Sequence, residues 1–251
     1  MKRLENKVAL VTGSGGGLGR TIAQMMASEG AKVVVATLTP ANGEETVRLI
    51  KDAGGEATFV QTDVSKSSDA QRMVQTAIDA YGGLDCAVNN AIREAPRLPL
   101  AEIPDEDWDA AIAVNFAGVF RSMKYEILAM LDRGGGSIVN IGSGNERTVM
   151  ANHSWYLPAK HGVYGLTRTA ALEYGKKGIR VNAVAPGPMW TPAMRRTVET
   201  NPEHAERRAS QTPIGRIAEP EEVAEGVIWL CTPSAGYVTG HTLSVDGGFT
   251  L

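Results

Sequence analysis

The chain alternates short runs of apolar and β-branched residues with longer segments in which apolar positions recur at helical spacing. The apolar runs predict strands at residues 7–12, 31–37, 57–63, 84–90, 136–143, 179–187 and 241–248. The segments between them predict helices at 17–30, 40–53, 65–81, 104–131 and 220–231 and around Tyr156. Runs such as VVVA at 33–36 are apolar on both faces, which is typical of a parallel sheet covered on both sides.

The regular alternation of strands and helices predicts the fold class. It favours an α/β doubly wound Rossmann fold, with a seven-stranded parallel sheet flanked by helices. The chain of 251 residues contains no linker rich in Pro, Gly or Ser, so we expect one domain over 1–251. The least regular part of the pattern is the segment 187–216.

Composition and charge narrow the class of protein. Hydrophobic residues make up 43% of the chain and charged residues 21%, which argues against disorder and fibrous repeats. The formal net charge of -3 and the lack of a Lys/Arg-rich run predict no nucleic-acid partner. Cys86 and Cys231 lie in apolar runs, which favours buried free thiols over a disulfide or a metal site. With no long apolar stretch or signal-like segment, we expect a cytoplasmic protein that does not contact membranes.

A glycine-rich turn, VTGSGGGLGR at 11–20, follows the first predicted strand and opens the first predicted helix. Glycines at 13, 17 and 19 permit a tight turn, let backbone N–H groups approach a pyrophosphate, and let the helix pack closely on the sheet. A plain flexible turn is the alternative. The position after the first strand favours dinucleotide binding.

The spacing Thr12-Gly13-x-x-x-Gly17-x-Gly19 resembles the glycine turn of the short-chain dehydrogenase/reductase family, and the resemblance extends from about Lys7 to Leu251. Further matching residues are Asp63-Val64, Asn89-Asn90-Ala91, Asn115, Ser143, Tyr156, Lys160, Pro186-Gly187 and Thr191. The resemblance implies an enzyme that transfers a hydride between NAD(P)(H) and a ketone or secondary alcohol. It implies cofactor contacts from Gly13, Gly17, Leu18, Gly19, Thr37, Asp63, Val64, Asn89, Ala91, Tyr156, Lys160, Pro186, Gly187 and Thr191.

The same resemblance assigns roles to individual residues. Asp63 is expected at the adenine, with a helix cap as its alternative role, and Thr191 at the nicotinamide carboxamide. Asn115 lies on an apolar helical stripe, where an amide needs hydrogen-bond partners. By resemblance Asn115 holds a proton-relay water beside Lys160, and a core asparagine that braces a neighbouring loop is the alternative.

Hydride transfer to a carbonyl builds negative charge on oxygen, so the site needs a proton donor more acidic than free tyrosine, whose pKa is about 10. A lysine ammonium beside a phenol lowers the pKa of the phenol. The resemblance assigns Tyr156 as the general acid/base and Lys160 as its modulator and as the anchor of the cofactor ribose. Ser143 is expected to polarise the substrate carbonyl.

Pro158 lies between Tyr156 and Lys160, which are four residues apart and share a face if the segment is helical. A proline lacks an N–H and collides with the carbonyl four residues earlier, but both penalties shrink in the first turn of a helix. We therefore predict that regular helix begins between Ser154 and Pro158, or that the helix is kinked there.

Thr37 bears on the cofactor preference, because NAD-preferring relatives carry an aspartate at this position, which repels a 2′-phosphate. The positions at which the family places a basic residue hold Gly16 and Leu38, so Arg20 is the nearest candidate for binding a phosphate. We predict NADP as the preferred cofactor, with NAD as the alternative and no metal.

The substrate is predicted to be a small molecule bound by the segment 187–216, for which a plain surface excursion is the alternative. The residues expected to contact it are Asn145, Trp155, Met189 and Trp190. This Trp-rich set favours a small cyclic or aromatic ketone or alcohol. Arginines near the site, among them Arg93 and Arg97, fit an acidic substrate or serve as solvated loop charges.

Two alternative functions remain open for this chain. A 3-oxoacyl-[acyl-carrier-protein] reductase would need a basic docking patch, for which the candidates are Arg195, Arg196, Arg207 and Arg208. A non-catalytic NAD(P)-binding sensor is the other alternative, although a binder gains nothing from a poised acid.

The resemblance implies a homotetramer built on two long helices. The apolar residues expected at that interface are Val163, Leu166, Ala170, Ala171 and Leu172.

Overall fold

The computed structural model describes residues 2–144 and 150–251. Within these residues seven parallel strands form one sheet in the order β3-β2-β1-β4-β5-β6-β7. The strands are β1 Val8–Thr12, β2 Lys32–Thr37, β3 Glu56–Gln61, β4 Cys86–Asn89, β5 Gly136–Ile141, β6 Ile179–Pro186 and β7 Thr242–Val245. The predicted doubly wound α/β class and the seven predicted strands are confirmed.

Nine α-helices connect and cover these strands in the described part of the chain. They are α1 Gly17–Ser28, α2 Pro40–Asp52, α3 Ser67–Tyr81, α4 Asp105–Asn115, α5 Ala117–Arg133, α6 Leu157–Tyr174, α7 Pro192–Thr200, α8 Glu203–Ser210 and α9 Pro220–Cys231. None of the described helices is long and apolar enough to cross a membrane.

The core forms two layers, one on each face of the sheet. In β1, Ala9 and Val11 pack into the layer that contains residues of α1 and α9, whereas Val8 and Leu10 pack into the layer that contains residues of α3, α5 and α6. All five residues of β1 are buried, because each side chain meets a layer of helices. This two-sided burial explains why the strands read as continuous apolar runs.

One helix predicted over 104–131 is two helices in the structure. The backbone leaves the helical path at Phe116, which has φ −125° and ψ −61°, so α4 ends at Asn115 and α5 begins at Ala117. The break is one residue long, and the hydrogen bonds from the Phe116 N–H to Ile112 and from the Phe120 N–H to Phe116 keep the two helices nearly continuous. The sequence did not reveal the break because the hydrophobic pattern continues across Phe116.

The segment 187–216 is also more regular than its sequence indicated, since it contains α7 and α8. Both helices are short and mostly polar and neither buries a residue, so the sequence shows no long apolar pattern there that would predict a helix. Helix α6, by contrast, begins as predicted. Its first residue is Leu157 and Pro158 occupies its first turn, where a missing N–H costs no hydrogen bond.

Candidate active site

The glycine turn lies where the strand order of the sheet reverses. β1 pairs with β2 on one side and with β4 on the other, and in such a sheet the crevice at the carboxyl edge between these strands is the usual ligand site. Gly13 has φ +65°, and a Cβ on it would lie 2.7 Å from the Cα of Ala91, which follows β4. A Cβ on Gly19 would lie 2.4 Å from the carbonyl oxygen of Gly13. The chain segments are therefore packed too closely for a side chain at either position.

Gly19→Ala is expected to damage both the fold and cofactor binding, because its methyl group would overlap the Gly13 backbone. We expect the free energy of unfolding to fall by about 1–3 kcal/mol, and the displaced turn to bind NADPH on the order of tenfold more weakly. Gly165→Ala is the matched control, since no atom lies within 4 Å of its Cβ position and the residue lies on α6 outside the cavity lining. Denaturant unfolding and NADPH titration measure both effects, and equal losses in the two variants would contradict the steric explanation.

A cavity of about 660 Å³ extends from the glycine turn along the carboxyl edge of the sheet to α7 and α8. The predicted site residues that line it are Gly13, Gly17, Leu18, Gly19, Thr37, Ser143, Trp155, Tyr156, Lys160, Pro186, Gly187, Met189 and Thr191. Gly16 lines it as well, and the open space at its Cβ position leaves the turn accessible to a ligand. The residues present therefore fit a dinucleotide whose phosphates lie against the backbone of the turn.

Ser143, Tyr156 and Lys160 meet at the end of β5. Ser143 follows this strand, and Tyr156 and Lys160 lie at the start of α6. The Ser143 side chain interacts with the Tyr156 hydroxyl. The buried Lys160 Nζ donates to the Ile141 carbonyl oxygen at 2.7 Å and lies 5.8 Å from the centroid of the Tyr156 ring. The predicted catalytic hydroxyls are thus held side by side in the cavity wall.

The pKa shifts of this pair differ from those expected from the sequence. Burial raises the pKa of Tyr156 above its usual value, and the interaction with Ser143 offsets part of that shift. Burial also lowers the pKa of Lys160 to about 8. Both shifts arise because burial disfavours the charged form of each group, and the predicted lowering of the Tyr156 pKa by Lys160 is not observed. At neutral pH Tyr156 therefore holds its proton.

Tyr164, which the sequence did not single out, fixes the backbone of Ser143. Its hydroxyl accepts a hydrogen bond from the Ser143 N–H at 2.7 Å and donates one to the Ser143 carbonyl oxygen at 2.8 Å. A Cβ on Gly142 would lie within 3 Å of several atoms of the Tyr164 side chain, so this glycine makes room for it. The available signal was spacing, because Tyr164 lies four residues after Lys160 and eight after Tyr156 on the same helix.

Asn115 is fully buried and braces the loop that follows β4. Its Oδ1 accepts from the Arg93 N–H and its Nδ2 donates to the Arg93 carbonyl oxygen, both at 2.9 Å. This bidentate contact is the loop-bracing arrangement that the sequence left open as the alternative. The relay role of Asn115 stays a prediction, and Asn115 is not among the described residues that line the cavity.

Four residues predicted to contact the cofactor are likewise absent from the described lining: Asp63, Val64, Asn89 and Ala91. Asp63 accepts hydrogen bonds from the N–H and the hydroxyl of Ser65, at 3.0 and 2.6 Å, so it organises the turn before α3. Asn89 turns its amide into the core between the sheet and α5. Contact of these residues with a cofactor stays a prediction.

Of the four residues predicted to contact the substrate, two line the cavity, one does not, and one lies outside the described residues. Trp155 is buried in the cavity wall. Trp190 does not line the cavity, and its ring instead lies 5.2 Å from the guanidinium carbon of Arg195. The bridge between Met189 and Ala218 extends the backbone here, so Met189 and Trp190 point to opposite sides and only Met189 lines the cavity. Asn145 lies outside the described residues.

Arg20, the candidate for binding a 2′-phosphate, is committed to the scaffold. Its Nη2 donates to the carbonyl oxygens of Gly15, at 2.5 Å, and Asn42, at 3.3 Å. Its Nε donates to the Thr46 hydroxyl at 2.9 Å. These contacts tie the glycine turn to α2, and Arg20 does not line the described cavity.

A buried polar network lies beneath the site. Asn89 Nδ2 donates to Glu126 Oε2 at 3.0 Å and to Asn140 Oδ1 at 2.9 Å, and Asn140 Nδ2 donates to the Thr167 hydroxyl at 3.0 Å. Burial raises the pKa of Glu126 to about 8, although the Asn89 contact acts in the opposite direction. The second carboxylate oxygen of Glu126 has no hydrogen-bond partner among the described residues. A largely protonated carboxyl group is therefore part of the core.

Comparison with known proteins agrees with this geometry. The family model described as enoyl-(acyl carrier protein) reductase matches residues 13–250. A short-chain dehydrogenase/reductase of Aspergillus oryzae is 43% identical over 251 residues, which span 99% of this chain and 96% of that protein. The 2,5-dichloro-2,5-cyclohexadiene-1,4-diol dehydrogenase of Sphingobium indicum is 41% identical over 251 residues, which span 100% of this chain and 99% of that protein.

Solved structures resemble the chain over nearly its whole length. Levodione reductase superposes with a TM-score of 0.93 at 33% identity, covering 99% of each chain. A protein of Agrobacterium tumefaciens, named as a 2-deoxy-D-gluconate 3-dehydrogenase with bound NADP, superposes with a TM-score of 0.89 at 34% identity. That match covers 98% of this chain and 97% of the other.

Proposed function

The chain belongs to the short-chain dehydrogenase/reductase family, and on this premise we propose that Tyr156 is the general acid/base of its reaction. The chain is an oxidoreductase that transfers a hydride between NAD(P)(H) and a ketone or secondary alcohol. The observation that carries the proposal is that Ser143, Tyr156 and Lys160 line the same cavity as the glycine turn. A Tyr156→Phe variant tests it, with loss of turnover and retention of the cofactor as the expected result.

The cofactor supplies the carbon that gives or takes the hydride when it is bound. The glycine turn from Gly13 to Gly19 would hold its phosphates, with Pro186, Gly187 and Thr191 on the opposite wall. Lys160 supports this arrangement, because its pKa of about 8 leaves it mainly protonated at neutral pH. Its ammonium donates to Ile141 and has further protons with which to bind the ribose hydroxyls.

The protein residues divide the proton chemistry of carbonyl reduction. The Tyr156 hydroxyl gives its proton to the carbonyl oxygen as negative charge develops there, and Ser143 donates a hydrogen bond to the same oxygen. The raised pKa of Tyr156 keeps the proton on the phenol at neutral pH, which is the state that reduction requires. Tyr164 keeps Ser143 in place through its two backbone contacts. Alcohol oxidation uses the same residues in reverse and needs the phenolate.

NADP is the cofactor we propose as preferred. Thr37 lines the end of the cavity near Gly16, and no carboxylate among the described lining residues of that end would repel a 2′-phosphate. Arg20, the basic residue that the sequence suggested for binding the 2′-phosphate, is hydrogen-bonded to the scaffold instead. The preference therefore rests on the lack of repulsion.

Thr37→Asp is expected to reverse this preference, because its carboxylate would accept bonds from a ribose 2′-hydroxyl and repel a 2′-phosphate. We expect the Kd of NADPH to rise on the order of tenfold or more, whereas that of NADH falls. Thr37→Val is the control, since it removes the hydroxyl without adding charge. Fluorescence titration with each cofactor measures the ratio, and a Thr37→Asp variant that still binds NADPH more tightly would contradict the assignment.

A small cyclic ketone or secondary alcohol is the substrate that we propose. Trp155, Met189 and Phe249 give the cavity apolar walls near the catalytic hydroxyls. One of the similar proteins is named for a substrate with a six-membered ring, the cyclohexadiene diol. Within a single domain over 1–251, we propose that 187–216 is the substrate-binding segment, because α7 and α8 contribute part of the wall.

The carrier-protein alternative is disfavoured by the positions of its candidate docking arginines. Arg195 lies against Trp190 and pairs with Glu219 at 3.4 Å, whereas Arg196 and Arg208 line the cavity. Three of the four candidate arginines are thus held in an ion pair or in the cavity wall, which disfavours a shared basic docking patch. We keep a ketoreductase of small molecules as the proposed function.

A homotetramer is proposed for the assembly. Large apolar side chains on α4, α5 and α6 remain exposed, with Trp108 at 39%, Phe120 at 53% and Leu172 at 87%. Of the α6 residues expected at an interface, Val163, Ala170 and Ala171 are instead buried in the core, so α5 supplies more of the surface than predicted. Sedimentation should give the mass of four chains, and a monomer would refute the proposal.

A further inference from the structure

The end of the cavity that faces the proposed substrate carries an excess of positive charge. Among the described lining residues, Arg97, Arg196 and Arg208 face a single carboxylate, that of Glu94. Arg196 belongs to the cofactor end, since its helix α7 begins with Pro192, whose Cδ would lie 3.4 Å from a Cβ on Gly17. Arg97 and Arg208 remain for the substrate end.

Arg208 is held in the cavity wall without an acidic partner. Its guanidinium carbon lies 5.2 Å from the centroid of the Phe249 ring, and its Nη1 donates to Gln211 Oε1 at 2.7 Å. Burial lowers the pKa of Arg208, and the charges of Arg207 and Arg97 lower it further. No carboxylate of the described chain forms an ion pair with it. A partly desolvated guanidinium that lacks a counter-ion is costly, and the aromatic face offsets only part of that cost.

Two other arginines of the same region are neutralised. Arg195 pairs with Glu219 at 3.4 Å, and Arg216 pairs with Glu222 at 2.6 Å. Arg97 forms no ion pair in the described structure, and its positive charge is one of the causes that lower the pKa values of Arg208 and His204. Arg196 and Arg207 also lack a carboxylate partner in the described structure, but Arg196 belongs to the cofactor end and Arg207, which contacts His204, does not line the cavity. Arg97 and Arg208 are therefore the unpaired guanidiniums that share the substrate end of the cavity.

Arg208 lies close to the catalytic hydroxyls. Phe249, on which it stacks, would lie 3.4 Å from a Cβ on Gly144, the residue that follows Ser143. The apolar wall formed by Trp155 and Met189 belongs to the same cavity. A ligand that reaches from Ser143 past Phe249 would therefore place its reacting group at the catalytic hydroxyls and its apolar body against the apolar wall. Its other end would face the Arg208 guanidinium.

We propose that the substrate is an oxo or hydroxy acid whose carboxylate is bound by Arg208 and Arg97 while its reacting oxygen meets Ser143 and Tyr156. The planar fork of a guanidinium matches a carboxylate with two parallel hydrogen bonds, and the missing counter-ion would come from the substrate. The proposal rests on the proposed ketoreductase function and names the substrate class for that site.

Steady-state reduction of two matched ketones tests the proposal: 4-oxocyclohexanecarboxylate and its uncharged methyl ester. We expect kcat/KM of the wild type to favour the acid about tenfold or more, as charged hydrogen bonds permit. Arg208→Gln and Arg97→Gln should each lower kcat/KM for the acid, by about ten- to a hundredfold for Arg208, and change that for the ester less than about threefold. Equal kcat/KM for both ketones in the wild type, or equal losses in the variants, would overturn the proposal.

Two further variants separate charge from structure. Arg208→Lys keeps the charge without the fork and should retain part of the preference for the acid. Arg48→Gln removes an arginine from the exposed face of α2, where it pairs with Glu45 and Asp52, and should leave the acid-to-ester ratio unchanged. A ratio that falls as much in Arg48→Gln as in Arg208→Gln would show a general charge effect and overturn the proposal.

A binding measurement does not depend on turnover. Calorimetric titration of cyclohexanecarboxylate and of uncharged cyclohexanecarboxamide into the enzyme saturated with NADP⁺ should show tighter binding of the carboxylate, lost in Arg208→Gln. That result without reduction of either ketone would sustain the carboxylate site and refute the proposed reaction. Reduction of the ester with no preference for either carboxylate would refute the site and leave the reaction intact.

Discussion

Tyr156→Phe is expected to lower kcat by about 10²–10⁴-fold, the range that a positioned general acid contributes. The phenol is the group in the cavity wall that holds a proton beside Ser143, and burial keeps that proton in place at neutral pH by raising its pKa. Phenylalanine preserves the ring and its packing against Trp155. The loss should therefore appear in kcat, with the affinity for NADPH nearly unchanged.

Steady-state reduction of a cyclic ketone and an NADPH titration, both on the same preparations, measure this effect. Leu157→Ala, at the next position of the chain, is a control for general damage to the start of α6, because its side chain is buried but does not line the cavity. A Tyr156→Phe variant that turns over within threefold of the wild type would refute the assignment of Tyr156. A protein that binds NADPH but reduces no ketone, with or without Tyr156, would favour the sensor.

Glu126→Gln is expected to stabilise the protein, and increasingly so as the pH rises. The folded chain raises the pKa of Glu126 from an ordinary 4.5 to about 8, so between these values the unfolded chain releases a proton that the folded chain keeps. The unfolding free energy of the wild type therefore falls with pH across this window. Removing the carboxyl group should gain on the order of 2–4 kcal/mol at pH 8 relative to pH 5.

Denaturant unfolding at pH 5, 6, 7 and 8 measures the difference between the wild type and the variant. Glu222→Gln is a control without pH dependence in this range: Arg216 holds the pKa of Glu222 down to about 2, so the stabilising contribution of its carboxylate is present throughout pH 5 to 8 and is lost only below about pH 4.5. Glutamine still accepts the hydrogen bond from Asn89, which limits other changes. A Glu126→Gln variant whose stability tracks that of the wild type at every pH would contradict the raised pKa.

The sequence predicted the sheet and the glycine turn because both depend on local patterns. Strands buried on both faces read as continuous apolar runs, as in β1 and β2, and the turn between β1 and α1 admits only glycine at Gly13 and Gly19. Ser143, Tyr156 and Lys160 were assigned by resemblance to the family's motif, and Tyr156 and Lys160 keep their helical spacing since Pro158 falls in the first turn of α6.

Features that depend on contacts between distant segments were missed. The break at Phe116 interrupts no pattern, and α7 and α8 bury no residue that would reveal them. The sequence predicted that Trp190 lines the cavity. The bridge between Met189 and Ala218 orients this segment so that Met189, and not Trp190, faces the cavity. The predicted direction of the Tyr156 pKa shift was wrong because burial, which raises this pKa, is a property of the packed site, and only the Ser143 contact acts against it.

The most direct test of ketone reduction by this site is to mix the purified protein with NADPH and a cyclic ketone such as cyclohexanone. The loss of NADPH absorbance is then followed. We expect NADPH to be oxidised as the alcohol forms, and Tyr156→Phe to bind NADPH but to oxidise it at least about a hundredfold more slowly. Oxidation of NADPH by the Tyr156→Phe variant at the rate of the wild type would contradict the central claim that Tyr156 carries the proton transfer.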